Sequence, residues 1–185
     1  PYGIATPNRR GIYVNLLRTD SVKFRNSFLN ASFMSQSRGT GTVNKKNFIL
    51  LTAGTDIYMN DFFGWKKQLK VDLGIRYENT TRNGEEYEKG NLNSTFIDAG
   101  ISWEFAKKLD LLVGTKLWLV NGTAYVNQRN QFNTVVNFDV IDYHFTENTY
   151  AAGMRYRFSD KNTLSVQYQV FDIQHKQSNS VDYGI

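Results

Sequence analysis

The chain has 185 residues, no cysteine and a formal charge of +5; without cysteine, disulfide staples and thiolate metal sites are excluded. Its mean hydropathy is negative and no run of eighteen apolar residues occurs, which excludes a transmembrane helix but not a membrane strand, where only alternate residues meet lipid. No Lys/Arg-dense stripe with interleaved aromatics is present, which argues against nucleic acid as a partner.

Residues 1–10 read as a loop end. Ile12, Val14 and Leu16 then alternate with Tyr13 and Asn15, the period-two pattern of a strand. After the short polar turn 18–22, a second strand is expected from about Lys23 to Gln36, although Phe28, Leu29, Ala31 and Phe33 blur its facing. Residues 37–47, with Gly39 and Gly41, read as a longer polar loop. In the next strand Ile49, Leu51, Ala53, Thr55, Ile57 and Met59 oppose Thr52, Gly54, Asp56 and Tyr58. A turn at 60–65 leads into the cleanest stretch of the chain. There Leu69, Val71, Leu73, Ile75 and Tyr77 fall on one face, and Lys70, Asp72, Gly74 and Arg76 on the other.

Residues 79–93 are rich in Asn, Gly and Glu and read as a long loop. Ile97, Ala99, Ile101, Trp103 and Phe105 follow, opposite Asp98, Gly100, Ser102 and Glu104. A tight turn at 106–108 gives Leu109, Leu111, Val113, Thr115, Leu117 and Leu119, opposite Asp110, Gly114 and Lys116. Residues 121–148 are Asn- and Gln-rich, with strand character around 135–143, and read as an extended hairpin or a folded loop. The last hairpin sets Tyr150, Ala152, Met154, Tyr156 and Phe158 against Gly153, Arg155 and Arg157. It turns at 159–162 and returns through Leu164, Val166, Tyr168 and Val170.

Five of these strands carry a glycine on the polar face, at Gly54, Gly74, Gly100, Gly114 and Gly153. Glycine weakens a strand, so its repeated use implies curvature and room for long charged neighbours. Short turns (18–22, 60–66, 106–108, 159–162) alternate with long connections (37–47, 79–93, 121–148 and after 174), as in transmembrane barrels. Aromatics gather near the strand ends. Tyr58, Phe62, Phe63, Trp65, Trp103, Phe105, Tyr156 and Phe158 lie on the short-turn side; Tyr77, Trp118, Tyr125 and Tyr150 lie on the other. Aliphatic residues fill the space between, the pattern of two interfacial girdles around an apolar band.

The sequence therefore predicts an all-β, antiparallel up-and-down transmembrane β-barrel with about eight strands here. Residues 1–185 are expected to form a single, incomplete segment of a larger barrel. Strand parity places both of its ends on the external side, so flanking strands are expected at both ends, and residues 181–185 read as the start of one. Lys70, Asp72, Arg76, Asp98, Glu104, Lys116, Arg155 and Arg157 are the candidate lumen-lining residues. Trp65, Tyr77, Trp103, Phe105, Trp118, Tyr150, Tyr156 and Phe158 are the candidate lipid-interface aromatics. The charges can set a transverse field in a pore or close into ion-pair networks that stabilise a plugged barrel; sequence leaves both open.

Two hairpins carry a resemblance: 98–119 (DAGISWEFAKKLDLLVGTKLWL) and 150–170 (YAAGMRYRFSDKNTLSVQYQV). With them, residues 11–174 resemble the C-terminal strands of large outer-membrane barrels of Bacteroidota-type Gram-negative bacteria. The resemblance implies an outer-membrane location, with lipid and lipopolysaccharide outside and other envelope proteins as further partners. Its motifs are architectural, so no functional residue is carried over.

No nucleophile elbow, phosphate-cradling loop or HExxH is present. His144 and His175 fall in or beside long loops; with Asp142 nearby, His144 invites a catalytic pairing, but a solvated loop histidine is the plainer reading. Asn-X-Ser/Thr triplets at Asn30, Asn79, Asn93 and Asn121 arise by chance in so Asn/Thr-rich a chain, and the acidic-basic loop 85–89 reads as a solvated tip. The expected function is non-enzymatic passage of solutes or polymers, with no cofactor and no metal. A scaffold barrel in a larger envelope complex and a soluble ligand-binding barrel are the alternatives.

Overall fold

The computed structural model describes residues 9–19, 22–37, 45–83, 90–159 and 162–179. They form eight strands: β1 (Arg9–Arg18), β2 (Phe24–Gln36), β3 (Lys45–Tyr58), β4 (Leu69–Asn83), β5 (Gly90–Ala106), β6 (Leu109–Arg129), β7 (Val135–Arg157) and β8 (Thr163–Asn179). All pair antiparallel in one sheet whose spatial order is the sequence order. The sheet is open: β1 and β8 are its edges and do not pair with each other among the described residues. The all-β, antiparallel up-and-down order expected from the sequence is present, as one open sheet that is not closed into a barrel among the described residues.

The connections follow local turn chemistry. A one-turn helix, α1 (Met59–Phe63), links β3 to β4 and ends at Gly64, whose φ of 67° is the left-handed cap conformation that glycine adopts without strain. Met59 thus opens a helix rather than extending the apolar row of β3. At the β6–β7 hairpin the Asn130 side chain accepts the backbone N–H groups of Phe132 (2.9 Å) and Thr134 (3.0 Å), an Asx turn that reverses the chain.

Several boundaries move outward from the sequence expectation. Arg9 and Arg10 belong to β1, β3 begins at Lys45, β4 runs to Asn83, and β5 starts at Gly90. The 121–148 stretch is the extended-hairpin alternative, formed by the outer halves of β6 and β7. Positions 1–8, 38–44, 84–89 and 180–185 lie outside the described residues, so the loop tip at 85–89 and the strand start at 181–185 do too. In β2 the blurred facing has a local cause. The register shifts between Arg25 and Phe28, Asn26 takes a φ of 52°, and its amide donates to Asp56 Oδ2 at 2.7 Å. Such a bulge flips the alternation and puts Phe28 on the polar face opposite Gly54, with Leu29, Ala31 and Phe33 on the apolar one.

The burial pattern is the unusual feature of this fold. No hydrophobic residue is buried among the described residues, whereas Ser32, Asp110 and Thr149 are, with 4% of Asp110 exposed. A single-layer sheet has no second layer to cover its apolar side, so pairing and cross-strand contacts hold it together.

Close strand approach makes several glycines hard to replace, Gly153 among them. A Cβ on Gly153 would stand 2.5 Å from the Val166 carbonyl oxygen, whereas one on Gly114 would meet nothing nearer than the Ala99 oxygen at 3.5 Å. Gly153→Ala is expected to destabilise the sheet by about 1–3 kcal/mol through overpacking against backbone. Gly114→Ala is expected to be neutral or slightly stabilising. Chemical denaturation of the two variants, side by side, checks the difference.

Candidate functional site

Antiparallel pairing puts directly opposed residues on the same face, so the register fixes which side chains share a side. Thr52, Arg76, Phe96, Trp118 and Glu147 form one row across β3–β7; Asp56, Asp72, Gly100 and Gly114 form another. Asp98 stands between Gly74 and Lys116, Lys70 opposite Ser102, Glu104 opposite Asp110, Asp110 opposite Arg155, and Arg157 opposite Thr163. All eight candidate charged residues therefore share one face.

On that face most of the charges are engaged in ion pairs. Lys70 Nζ lies 2.5 Å from Asp72 Oδ1, and Arg76 pairs with Glu78 on its own strand. The hub is Asp110, whose two oxygens take Arg155 (Nε at 3.0 Å) and Arg157 (3.1 Å). Arg155 also reaches Ser102 Oγ at 3.4 Å, and Arg157 comes within 3.9 Å of Glu104. A cavity of about 310 Å³ beside this cluster is lined by Tyr58, Lys70, Glu104, Asp110, Arg155 and Arg157, among others. The glycines have the spacing role inferred for them at two places: a Cβ on Gly74 would overlap the Asp98 carboxylate, and one on Gly100 would meet the Asp72 carboxylate at 3.4 Å.

The other face is apolar and exposed. Its rows include Ala53, Ile75, Ile97 and Leu117, then Ile57, Val71, Ile101, Val113, Ala152 and Tyr168. Ile75, Ile97, Ile101, Val113, Met154, Val166 and Val170 are among its exposed members. The band does not run square to the strands. Ile49 is level with Asn79, and in β4 the apolar row begins two residues lower, at Tyr77. Tyr77 is level with Thr95, and in β5 the row begins at Ile97; Leu117 is level with Asn148, and in β7 it begins at Tyr150. The level of Ile12 in β1 corresponds to Lys176 in β8, where the row begins at Val170, so the drift sums to six residues over the seven steps of the sheet, which at ~3.3 Å per residue and ~4.8 Å between strands tilts the strands by roughly 30° from the band's normal. Leu69 to Tyr77 then gives a band roughly 22 Å tall. Above it this face turns polar: Asn79 bonds Asn91 (3.0 Å) and Asn93, and Asn121 meets His144 Nδ1 at 2.8 Å.

The aromatics mostly follow the band. At its short-turn edge Trp103 and Phe105 meet edge to face at 5.4 Å, as do Tyr156 and Phe158 at 4.9 Å. Trp65 lies off the strands, past α1, stacked on Phe63 at 5.0 Å. The lysines of this edge lean on the same elements: Lys67 Nζ donates to the Phe105 carbonyl at 2.6 Å and Lys108 Nζ to that of Phe158 at 3.3 Å. Tyr77 and Tyr150 lie on the apolar face near the other edge, and the Tyr77 hydroxyl donates to Asn93 at 3.1 Å. Trp118 is a correction. It shares the face of Lys116, donates to Ser94 Oγ at 2.8 Å and packs edge-on against Phe145 at 5.1 Å, so it is not part of the apolar-face girdle. The side chain of Tyr125 lies outside the described residues.

His144 stands within β7 rather than in a loop, and Asp142 accepts the Thr123 hydroxyl at 2.9 Å. Each is thus held by a β6 neighbour. The side chain of His175 lies outside the described residues.

Two features escaped the sequence reading. Asp110 was legible as a polar-face residue, but its role as hub depends on contact with residues 45 positions away. The second is a group of apolar side chains on the polar face at its long-loop end, Met34, Phe48, Leu50 and Leu92, which line a cavity of about 700 Å³. Alternation alone gave no signal for them, because β2 and β3 are apolar there on both faces.

Comparison of the chain with protein-family models, curated proteins and solved structures returns no match. The functional reading therefore rests on the chemistry of the two faces.

Proposed function

We propose that this chain supplies staves of an integral β-barrel in the outer membrane of a Gram-negative bacterium, acting without enzymatic chemistry in the passage of solutes or polymers. The observation that carries the reading is the inverted burial: apolar side chains form a band across one face and stay exposed, while the buried side chains are polar. A water-soluble protein rarely exposes a contiguous apolar patch of more than a few hundred Å². Lipid is the solvent that suits such a face, and lipopolysaccharide and phospholipid are its partners on this reading.

The band's dimensions are close to those of a membrane barrel. Barrel strands tilt by about 35–45° and present an apolar band about 25 Å tall, against the roughly 30° and 22 Å obtained from the register. Backbone groups in lipid must all be paired, so on this reading the free edges of β1 and β8 pair with further strands to close the ring. The polar face becomes the lumen wall. A soluble ligand-binding barrel would turn the apolar face inward, and it is supported by none of the buried residues.

A second reading, a scaffold barrel within an envelope complex, is favoured by the closed ion pairs around Asp110, Lys70 and Arg76. Planar-bilayer recording of the reconstituted protein separates the two. A pore gives stepwise currents, and Arg155→Glu shifts its reversal potential toward cations. A silent bilayer with demonstrated insertion speaks for the scaffold. A protein that stays monomeric and soluble without detergent overturns both.

A further inference from the structure

We infer that the short-turn end of the sheet is a docking surface for anionic phospholipid headgroups, which fixes the direction in which the barrel stands in its bilayer. This rests on the membrane reading and deepens it, from lipid in general to one headgroup chemistry at one end of the strands.

The net charge is concentrated there. Segments 18–25, 60–68, 106–108 and 158–162 carry eight Lys/Arg and three Asp/Glu, an excess of five that equals the formal charge of the whole chain. The other fourteen cations and fourteen acids cancel. Two of these connections, β3–β4 and β5–β6, are described throughout, and each holds a lysine pair: Lys66–Lys67 and Lys107–Lys108. The two connections are neighbours, joined where the Glu104 N–H donates to the Gln68 carbonyl at 2.8 Å. All four lysines are exposed, and among the described residues none lies within ion-pair distance of a carboxylate. Lys67 and Lys108 hold backbone carbonyls instead, and Lys23, just before β2, lies 4.7 Å from the centre of the Phe62 ring. Such partners orient an ammonium group without neutralising it.

The order of the groups decides the occupant. In β5 the apolar row ends at Trp103 and Phe105, and the Lys67 ammonium sits at the Phe105 carbonyl. In β7 Tyr156 ends the row beside Phe158, and Lys108 sits at the Phe158 carbonyl. Aliphatic residues, then rings, then ammonium groups follow the depth profile of a leaflet: acyl chains, interface, phosphate. An acidic protein or a nucleic acid would match the ammonium groups but not the exposed rings of Phe63, Trp65 and Phe105. A zwitterionic headgroup answers its phosphate with its own cation, so an excess of lysines favours lipids of net negative charge. The short turns of membrane barrels are periplasmic, so the leaflet concerned is the phospholipid one.

The test uses the intact chain carrying Trp118→Phe, whose remaining tryptophans, Trp65 and Trp103, both lie at this end. It is folded into phosphatidylcholine vesicles containing a minority of phosphatidylglycerol, with bromine on the acyl chains of one lipid or the other. Quenching is compared per mole fraction of brominated lipid. Phosphatidylglycerol is expected to show an apparent affinity at least about fivefold above phosphatidylcholine, the ratio that one lysine beside an anionic leaflet supplies. Salt at about 1 M, where the screening length is about 3 Å, should bring the ratio near one. So should Lys66→Gln/Lys67→Gln/Lys107→Gln/Lys108→Gln, while Lys45→Gln/Lys46→Gln at the other end leaves it unchanged. If the fourfold variant fails to fold, the salt series decides. Equal quenching by the two lipids, the result if a protein covers this end, overturns the inference, and so does a preference that survives high salt or the fourfold substitution. Stronger displacement of brominated phosphatidylglycerol by lipid A than by unlabelled phosphatidylglycerol assigns this end to the other leaflet and overturns it too. Insertion without preference sinks this inference alone, whereas failure to insert sinks the membrane reading and the inference with it.

Discussion

Ile101→Arg is expected to destabilise the bilayer-inserted state by about 2–4 kcal/mol, the cost of an arginine facing lipid near the midplane of a membrane barrel. Ile101 is the middle of the apolar row Ile97–Phe105 in β5, it is 47% exposed, and its neighbours Val71 and Val113 continue the same face. Its paired neighbours on that face, Val71 and Val113, offer a guanidinium no partner, and snorkelling from mid-band requires the side chain to cross roughly half the band's height. Two comparisons make the prediction diagnostic. Phe105→Arg, at the band's edge, should cost only about 0–1 kcal/mol. Gln169→Lys, on the opposite face and beside Ala151, should cost little, because that side is wet on the lumen reading. Urea titrations of folding into phosphatidylcholine vesicles measure all three. Equal effects for Ile101→Arg and Gln169→Lys would sink the assignment of the apolar face to lipid.

The depth dependence asked of these variants was half legible in the sequence. From Leu69 to Tyr77 every residue obeys period two, so the faces of β4 could be read directly, and the register agrees. The same rule failed beyond Tyr77 for a physical reason. Above the apolar band the face that carries it turns polar, so Asn79, Thr81, Asn91 and Asn93 have loop-like composition while their backbones still pair. Composition reports the solvent, whereas the ladder reports the backbone, and the two diverge where a strand leaves the apolar band. Trp118 shows the opposite error: its parity with Lys116 already placed it on the polar face, but its residue type suggested an interface. The bulge in β2 and the floor formed by Met34, Phe48, Leu50 and Leu92 could not be read, because they depend on register between strands.

The hub at Asp110 depends on register in the same way, and it supplies the sharpest test of pore against scaffold. Its side chain is 6% exposed and balances two guanidiniums that are 41% and 44% exposed. Asp110→Ala removes the acceptor for Arg155 and for Arg157 at once. Hydrogen bonds to charged groups contribute about 1.5–3 kcal/mol, and the half-exposed arginines are screened once released, so the expected loss of stability is about 1.5 kcal/mol. Asp110→Asn keeps an acceptor oxygen but not the charge, and should lose less. The electrical consequence separates the two readings. Releasing two cations into the wall of a conducting lumen should move the reversal potential toward anions, opposite in sign to Arg155→Glu, and high salt should erase both shifts by screening. If the protein conducts but neither substitution alters its selectivity, the cluster does not face the ion path. Its ion pairs then act as struts between β5, β6 and β7, which is what a scaffold barrel requires of them.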